Sequence, residues 1–324
     1  MTDTVAPHSP EANAKGPRPA TGGWLKRALE SDVFYSFRRS RLTMVAAAVT
    51  ILFFVLAIFA PLLSVQNPFD PAQLQLINSR IPPLWTADGQ SPYLLGTDEQ
   101  GRDVLSAILY GLRLSLAVGV LGMLFSGVLG VLLGLVAGYV GGTVDNLIMR
   151  IADVQLTFPA VLIALLVNGV AKSVFGNKLD ATSMLLVLVL SIGLSFWVQY
   201  ARTVRGSVLV EKNKDYVAAA QLIGLPAPVI MLRHVLPNAM GPVLIIATIN
   251  LALAILTEAT LSFLGLGMPD TMPSLGTLIR IGNNYLFSGE WWIVAFPGFA
   301  LAALILSINL LGDWLRDALN PKLR

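Results

Sequence analysis

Two acidic side chains within long apolar segments are the first candidates for chemistry in this sequence. Glu258 lies in the apolar run 239–263, and Asp153 lies in the run 147–171 with Arg150 three residues before it. Ionisable groups inside a membrane are costly and often mark a transport pathway. Glu258 either lines such a pathway or satisfies a polar group of a neighbouring helix, and we favour the second alternative. Asp153 and Arg150 are interpreted as an ion pair at the membrane surface.

The sequence contains few residues for catalysis or metal binding. It has no cysteine and two histidines, His8 and His234, which excludes thiol chemistry and argues against a histidine-rich metal site. It has no Gly-x-Ser-x-Gly, no His-Glu-x-x-His and no close carboxylate pair within an apolar run. A phosphate-binding loop that ends in Gly-Lys-Ser/Thr is also missing. We therefore expect a non-catalytic chain that binds no cofactor or metal itself.

The elements that carry these residues are predicted to be membrane-spanning helices. The 324 residues are 55% apolar and 13% charged, against about 25% charged in soluble domains. A spanning helix needs roughly 20 mostly apolar residues. Six segments meet that requirement, so we predict an all-α membrane protein with six transmembrane helices at 43–64, 114–138, 147–171, 184–204, 239–263 and 291–312.

The distribution of Lys and Arg predicts the orientation of these helices. Cytoplasmic segments of membrane proteins are enriched in both residues, and most of the 22 in this chain lie on one side of the predicted spans. That side also holds both termini, so we place the N- and C-termini in the cytoplasm. The predicted segments are a disordered cytoplasmic tail (1–23), an amphipathic interfacial helix (24–42), the first span (43–64), an extracytoplasmic segment (65–113), a five-helix core (114–312) that includes the loop 205–238, and a cytoplasmic tail (313–324).

The predicted interfacial helix has an apolar residue at every fourth position, beside basic residues. Leu25, Leu29, Val33 and Phe37 show this spacing, which is typical of a helix lying on a membrane surface. This interpretation makes membrane lipid a partner of the segment. A poorly ordered basic leader is the alternative.

The extracytoplasmic segment contains a signal for a helix that leads into the second span. Thr97 is followed three residues later by Gln100, the spacing of a capping box, and Gly96 and Gly101 allow tight turns. The carboxylates of this segment lie near no nucleophile and no metal-binding set, so a catalytic role is poorly supported for Asp70, Asp88, Asp98, Glu99 and Asp103.

The second span carries small residues at every fourth position. Ser126, Gly130, Gly134 and Gly138 form a ridge along one face. Such a ridge lets the backbone of another helix approach closely inside a bilayer. We predict that this face packs tightly against a neighbouring helix.

The loop between the fourth and fifth spans is partly charged and is punctuated by glycine and proline. Its sequence over 214–238 is KDYVAAAQLIGLPAPVIMLRHVLPN. Asp215 is predicted to cap a helix that contains the three alanines, and Gly224 to end it in a left-handed conformation. Pro226 then opens a second helix that runs to His234. Such an elbow can pass a push from a soluble partner into the two spans, whereas an inert surface hairpin is the alternative.

This loop resembles the EAA loop of bacterial ABC importer permeases. The family pattern is Glu-Ala-Ala, three residues, Gly, nine residues and Ile-x-Leu-Pro; here AAAQLIG is followed by nine residues and HVLP. Gly224, Leu236 and Pro237 occupy the matching positions. Ala218 stands where the family usually has Glu, and His234 stands where the general motif has Ile, as in the peptide and nickel branch.

Two further stretches are similar to the same branch. They are LGTDEQGRDVLSAILYGLRLSL at 95–116 and TEATLSFLGLG at 257–267. The similarity extends over 30–322 and is closest to the C-type subunit of the dipeptide, oligopeptide and nickel permease heterodimers. The resemblance implies the type I ABC importer permease fold in a bacterial inner membrane.

The resemblance also implies a mechanism and a set of partners. In such importers the loop helix docks in a cleft of a cytoplasmic ATPase, whose closure on ATP rotates the helix bundle. The implied partners are a second homologous permease subunit, two cytoplasmic ATPase subunits that use ATP and Mg, and an extracytoplasmic substrate-binding protein, with no nucleic acid. The residues that the resemblance assigns to ATPase coupling are Asp215, Tyr216, Ala218, Ala219, Ala220, Gly224, Pro226, Arg233, His234, Leu236 and Pro237.

The resemblance favours peptides as the substrate class. Nickel chelates, glutathione and other small solutes are carried by relatives and remain alternatives. An ion-driven secondary transporter is a further alternative, but such proteins tend to show internal repeats and midplane charges that this sequence lacks. An intramembrane enzyme is disfavoured because the motifs of such enzymes are missing.

Overall fold

The computed structural model describes residues 32–175 and 180–319, and most of these residues are helical. The described part contains one isolated β-bridge, between Thr97 and Asp103. Short helical turns lie at Ala60–Leu63, Pro71–Gln73, Leu76–Asn78 and Leu286–Ser288. The principal helices are α1 (Asp32–Arg39), α2 (Arg41–Ile58), α3 (Val104–Val140), α4 (Gly142–Leu156), α5 (Ala160–Phe175), α6 (Ala181–Glu211), α7 (Asp215–Leu222), α8 (Gly241–Phe263), α9 (Leu275–Asn283) and α10 (Trp292–Leu319).

The long apolar helices confirm the predicted all-α membrane fold. Helices α2, α3, α6, α8 and α10 are long and apolar enough to cross a bilayer. Helices α4 and α5 meet the same test together, although they are bent by 95° at the break between them. The predicted count of six spans is reached when this bent pair is taken as one span.

The third predicted span, 147–171, is wrong as a continuous helix. Helix α4 ends at Leu156 and α5 begins at Ala160. Pro159 has no backbone N–H and disfavours the helical conformation in the residue before it, so the helix breaks there. Apolar composition indicated a membrane segment at this place, but it carried no information about the bend.

The predicted capping box at Thr97 is also wrong. The N-cap of α3 is Asp103, whose Oδ2 accepts from the Ser106 backbone N–H at 2.8 Å and from Ser106 Oγ at 2.6 Å. Burial raises the pKa of Asp103, although these hydrogen bonds oppose the shift. Thr97 Oγ1 instead donates to the carbonyl of Asn78 at 2.5 Å and accepts from the N–H of Ile81 at 2.8 Å. Helix α3 therefore begins at position 104, well outside the predicted span.

The segment between α2 and α3, which was predicted to be extracytoplasmic, is fixed to the bundle through buried polar contacts. Arg102 is fully buried; its Nε donates to Asp98 Oδ2 at 2.6 Å and its Nη1 donates to the carbonyl of Asp270 at 2.7 Å. The indole of Trp292 donates to the carbonyl of Thr97 at 3.1 Å. These contacts tie the start of α3 to the loop before α9 and to the first turn of α10. The carboxylate of Asp98 thus has a structural partner.

The predicted interfacial helix 24–42 falls only partly within the described residues. Helix α1 ends at Arg39, and Ser40 caps α2 by accepting from the N–H of Thr43 at 3.2 Å. Phe37 packs edge-to-face on Trp314 of α10, with ring centroids 5.2 Å apart. The boundary between the interfacial helix and the first span therefore lies at position 40, a few residues before the predicted boundary at 42 and 43. The predicted tail 1–23, positions 24–31 and positions 320–324 lie outside the described residues.

The small-residue ridge of α3 lies against α6, and the two helices run parallel. A Cβ added to Gly130 would be 2.3 Å from the carbonyl oxygen of Trp197, and one added to Gly134 would be 2.4 Å from that of Ala201. At Gly138 the nearest atom would be Val208 Cβ, at 2.8 Å. Lipid tails are as apolar as the helices, so close backbone packing of this kind is what holds two helices together in a bilayer.

Candidate coupling interface

Helix α7 starts directly after the end of α6, in the loop predicted to be an elbow. Helix α6 ends at Glu211, Lys214 occupies the N-cap position, and Asp215 is the first residue of α7. The prediction that Asp215 caps this helix is therefore wrong by one position. In the first turn, its carboxylate still faces the positive end of the helix dipole. A hydrogen bond to Glu211 raises the pKa of the Lys214 ammonium.

The two faces of α7 have opposite environments. Val217 and Ala220 are buried. They pack with residues from α6 and from the segment that follows α7, namely Tyr200, Val204, Val208, Ile230, Val235 and Ala239. Ala218 and Ala219 are exposed on the other face, and the C-terminal end presents Leu222 and Ile223, which are 88% and 76% exposed. Helix α7 therefore holds to the bundle by one narrow apolar edge and offers a thin apolar surface outward.

Gly224 ends α7 in a left-handed conformation, as the sequence predicted. Its φ is +78°, and its N–H donates to the carbonyl of Gln221 at 3.0 Å. The N–H of Leu225 donates to the carbonyl of Ala220 at 3.2 Å. This pair of bonds is a Schellman motif, which satisfies the last carbonyls of a helix and turns the chain sharply.

The second limb of the elbow is less regular than the predicted helix to His234. It consists of a helical turn at Ala227–Val229, a π-helical segment at Ile230–Val235 and a turn at Leu236–Ala239. The N–H of Leu236 donates to the carbonyl of Met231, five residues back. Pro237 has no N–H to donate to the preceding turn, which accounts for the interrupted α-helical ladder.

The remaining predicted residues of the second limb lie on its surface or at its ends. Pro226 is the N-cap of the first turn, and its carbonyl accepts from the N–H of Val229 at 3.0 Å. The side chain of Arg233 is exposed. His234 Nδ1 is buried without a hydrogen-bond partner among the described residues.

Polar contacts tie the C-terminal end of α6, beside the elbow, to its neighbours. Arg205 makes a two-point contact with Asp145 of α4, with Nε–Oδ1 at 2.5 Å and Nη2–Oδ2 at 2.6 Å. Lys212 Nζ donates to the carbonyl of Gly138 at the end of α3, at 2.8 Å. Asp153 pairs with Arg202 of α6, so the predicted pairing with Arg150 is wrong. The ends of α3, α4 and α6 are thereby joined next to α7.

Glu258 is fully buried far from the elbow and connects three helices. Its Oε2 accepts from Ser115 Oγ of α3 at 2.7 Å, and its Oε1 accepts from Ser262 Oγ of α8 at 2.6 Å. Ser115 Oγ also accepts from the N–H of Leu275 at the start of α9, at 3.2 Å. This geometry supports the alternative in which Glu258 satisfies polar groups of neighbouring helices.

Changing Glu258 to glutamine distinguishes the two alternatives for this residue. A glutamine side chain can keep both serine contacts, so we expect Glu258→Gln to retain transport. Glu258→Leu leaves buried polar groups unpaired, at about 1–3 kcal/mol each, and we expect a lower yield of folded protein. Transport and yield are measured for both variants. A folded Glu258→Gln protein without transport would instead place the carboxylate charge on the pathway.

Sequence reasoning missed several residues that organise this region. Glu211 and Asn238 were not singled out, although both contact Tyr216. The spacing of Glu211 and Lys214 at the end of a helix was an available signal for an ion pair. The structural role of Arg102 was also missed, because its partner Asp270 is distant in sequence.

Comparisons with known proteins identify the class of this protein. A family model described as the binding-protein-dependent transport system inner membrane component matches residues 130–324, and one described as the N-terminal TM domain of oligopeptide transport permease C matches residues 30–83. The chain belongs to this family of inner membrane transport components, which confirms the resemblance of the loop.

Individual members of the family are similar to this chain over most of its length. The dipeptide transport system permease protein DppC of Haemophilus influenzae is 35% identical, covering 92% of this chain and 96% of that protein. DppC of Escherichia coli K12 is 39% identical, covering 90% of this chain and 93% of that protein. The oligopeptide transport system permease protein OppC of Bacillus subtilis is 34% identical, covering 92% and 91%.

A solved structure supports the fold independently. An inward-facing structure of the MetNI methionine ABC transporter contains a chain that matches with a TM-score of 0.51 at 18% identity, covering 66% of this chain and 96% of that one. At this level of identity the match concerns the fold. The fold is therefore that of an ABC importer permease.

Proposed function

We propose that this chain is a permease subunit of an ATP-driven importer of dipeptides or oligopeptides. The observation that carries the proposal is the geometry of α7, which stands at the cytoplasmic end of α6 with Val217 and Ala220 buried and with Leu222 and Ile223 exposed. The names of the relatives, which are dipeptide and oligopeptide permeases, support peptides as the substrate class. The chain itself is a non-catalytic membrane subunit.

The proposed assembly contains four kinds of subunit. This chain forms the translocation pathway with a second homologous permease subunit, and two cytoplasmic ATPase subunits supply the energy. ATP and Mg are used by those ATPases, because this sequence has no phosphate-binding loop. An extracytoplasmic binding protein delivers the substrate. The excess of Lys and Arg on one side supports an orientation with both termini in the cytoplasm.

The contacts around α7 suggest how ATPase closure moves the bundle. A push on the exposed face of α7 passes through Val217 and Ala220 into the apolar cluster that the second limb and α6 form together. Helix α6 is closely packed on α3 along the glycine ridge and is bound to α4 through Arg205 and Asp145. Because protein interiors are densely packed, these three helices move together when α6 is displaced.

The exposed end of α7 gives a direct test of ATPase docking. We expect the double variant Leu222→Asp and Ile223→Asp to fold normally, since both side chains are exposed. Burying such a side chain in a partner is worth about 1.5–3 kcal/mol. Losing both contacts weakens docking by about 3 kcal/mol, or about a hundredfold. The measurement is copurification of the ATPase subunits together with ATP-dependent uptake of labelled dipeptides into proteoliposomes.

A matched control separates docking from a general effect of added charge. Ile77 is 90% exposed in the extracytoplasmic segment, and we expect Ile77→Asp to keep both copurification and uptake. Unchanged ATPase binding by the double variant would overturn docking at the end of α7. ATP-dependent uptake of nickel chelates or glutathione but not of peptides by the unmodified complex would overturn the proposed substrate class.

A further inference from the structure

Tyr216 joins three separate parts of the elbow through its hydroxyl group. The hydroxyl donates to Glu211 Oε2 at the end of α6, at 2.6 Å, and accepts from Asn238 Nδ2 of the second limb, at 3.2 Å. The ring belongs to the first turn of α7. One hydroxyl therefore connects the helix before α7, α7 itself and the limb that follows it.

Both partners of Tyr216 are held by further contacts. Glu211 Oε1 accepts from Lys214 Nζ at 2.6 Å, and the Glu211 side chain is 12% exposed. Asn238 Nδ2 also donates to the carbonyl of His234 at 2.7 Å. Because the carboxylate is charged and largely shielded from water, its hydrogen bonds are at the stronger end of the usual range.

Apart from the contacts of Tyr216, α7 is attached by apolar packing and by the backbone turn before it, in which the N–H of Lys214 donates to the carbonyl of Glu211 at 3.1 Å. Val217 and Ala220 make apolar contacts, which hold the helix against the bundle but have no preferred direction. The chain is turned at both ends of α7, at positions 212–214 and at Gly224. A helix of eight residues held by one apolar edge can pivot about that edge. Hydrogen bonds are directional, so the contacts of Tyr216 restrict this pivoting further.

We infer that Glu211, Tyr216 and Asn238 form a joint that fixes the angle between α7 and α6. With this angle fixed, a movement of the docked ATPase is transmitted to the helix bundle. This inference rests on the proposed function and assigns to the three residues a positioning role. The exposed apolar surface of α7 also includes Ala218, Ala219 and Leu222, and these side chains keep their chemistry when the joint is broken.

Tyr216→Phe removes the hydroxyl and keeps the ring. The loss of its two hydrogen bonds shifts the ratio of fixed to pivoted α7 by about thirtyfold. We expect substrate transported per ATP hydrolysed to fall about threefold, while the yield of monodisperse complex stays at the level of the unmodified complex. Asn238→Ala removes only the second of these bonds, so we expect a smaller effect. The double variant should be no worse than Tyr216→Phe alone, because the hydroxyl that Asn238 contacts is already missing.

The angle of α7 is measured directly by spin labelling. The chain has no cysteine, so Val210→Cys on α6 and Gln221→Cys on α7 provide its two labelling sites in a complex whose partner subunits carry no cysteine. We expect Tyr216→Phe to broaden the distribution of distances between these labels. Glu211→Ala should broaden this distribution as well. Glu211→Gln keeps an acceptor for the hydroxyl and should therefore give a narrower distribution than Glu211→Ala.

Tyr93→Phe is a matched control for the chemical change. Its hydroxyl also accepts from an asparagine, Asn78 Nδ2 at 3.0 Å, but it lies in the extracytoplasmic segment. We expect this variant to leave transport per ATP and the label distances unchanged. If Tyr216→Phe gives the same transport per ATP and the same distances as the unmodified complex, the joint is refuted. If the unmodified complex shows no ATP-dependent uptake, the proposed function fails instead.

Discussion

Replacing Gly224 with proline is expected to reduce ATP-driven uptake to background while the bundle remains folded. Proline fixes φ near −65°, whereas φ at Gly224 is +78°. The substitution also removes the N–H that donates to the carbonyl of Gln221. Together these effects cost about 3 kcal/mol or more, which lowers the ratio of native to altered α7 angles about a hundredfold. The spanning helices are untouched by this change.

The series at position 224 separates backbone conformation from side-chain size. A Cβ at this position meets no atom within 4 Å among the described residues, so size alone is tolerated. Asparagine adopts the left-handed conformation more readily than other non-glycine residues, and we expect Gly224→Asn to retain most of the transport. Uptake and ATPase copurification are measured at equal amounts of membrane protein. Normal uptake by Gly224→Pro would show that the angle of the elbow is not needed.

Replacing Gly134 with leucine is expected to prevent the bundle from folding. A Cβ at this position would lie 2.4 Å from the carbonyl oxygen of Ala201 and 2.9 Å from its Cα. These are backbone atoms, so α3 and α6 must separate along their whole contact. Overpacking a core typically costs about 1–3 kcal/mol, and a leucine facing another backbone lies at or above the upper end of that range.

Gly169→Leu is the matched control for this prediction. Gly169 is an exposed glycine in α5, and a Cβ there meets no atom within 4 Å in the part of the chain that the structure describes. We expect normal yield and thermal stability in detergent for this variant, and loss of monodisperse protein for Gly134→Leu. Equal melting temperatures for the two variants would contradict close packing of the ridge on α6.

The features that sequence predicted well are those set by local composition or by one backbone requirement. Runs of apolar residues located the spanning helices, and Gly224 was recognised because a left-handed helix end favours glycine. The ridge through Gly130, Gly134 and Gly138 was recognisable from its spacing, although its partner α6 was not. The family resemblance then assigned a function to the loop that its shape alone left open.

The features that sequence did not predict depend on the direction of the chain or on distant partners. The bend at Pro159 lies inside an apolar run, and hydropathy does not distinguish a straight helix from a bent one. Asp103 was passed over as a cap in favour of Thr97, whose hydroxyl bonds to residues on a different turn of the segment. The contact of Glu258 with Ser115 joins residues far apart in sequence, so only the folded bundle reveals it.

Cross-linking from α7 in the working complex is the most direct test that an ATPase drives the bundle through this helix. Single cysteines placed at exposed positions such as Ala219 and Leu222 would carry a photoactivated cross-linker, in a chain that has no other cysteine. We predict capture of an ATPase subunit from these positions and none from a cysteine at Ile77. A complex that transports substrate, yet yields no ATPase cross-link from any exposed position between 215 and 237, would contradict the mechanism.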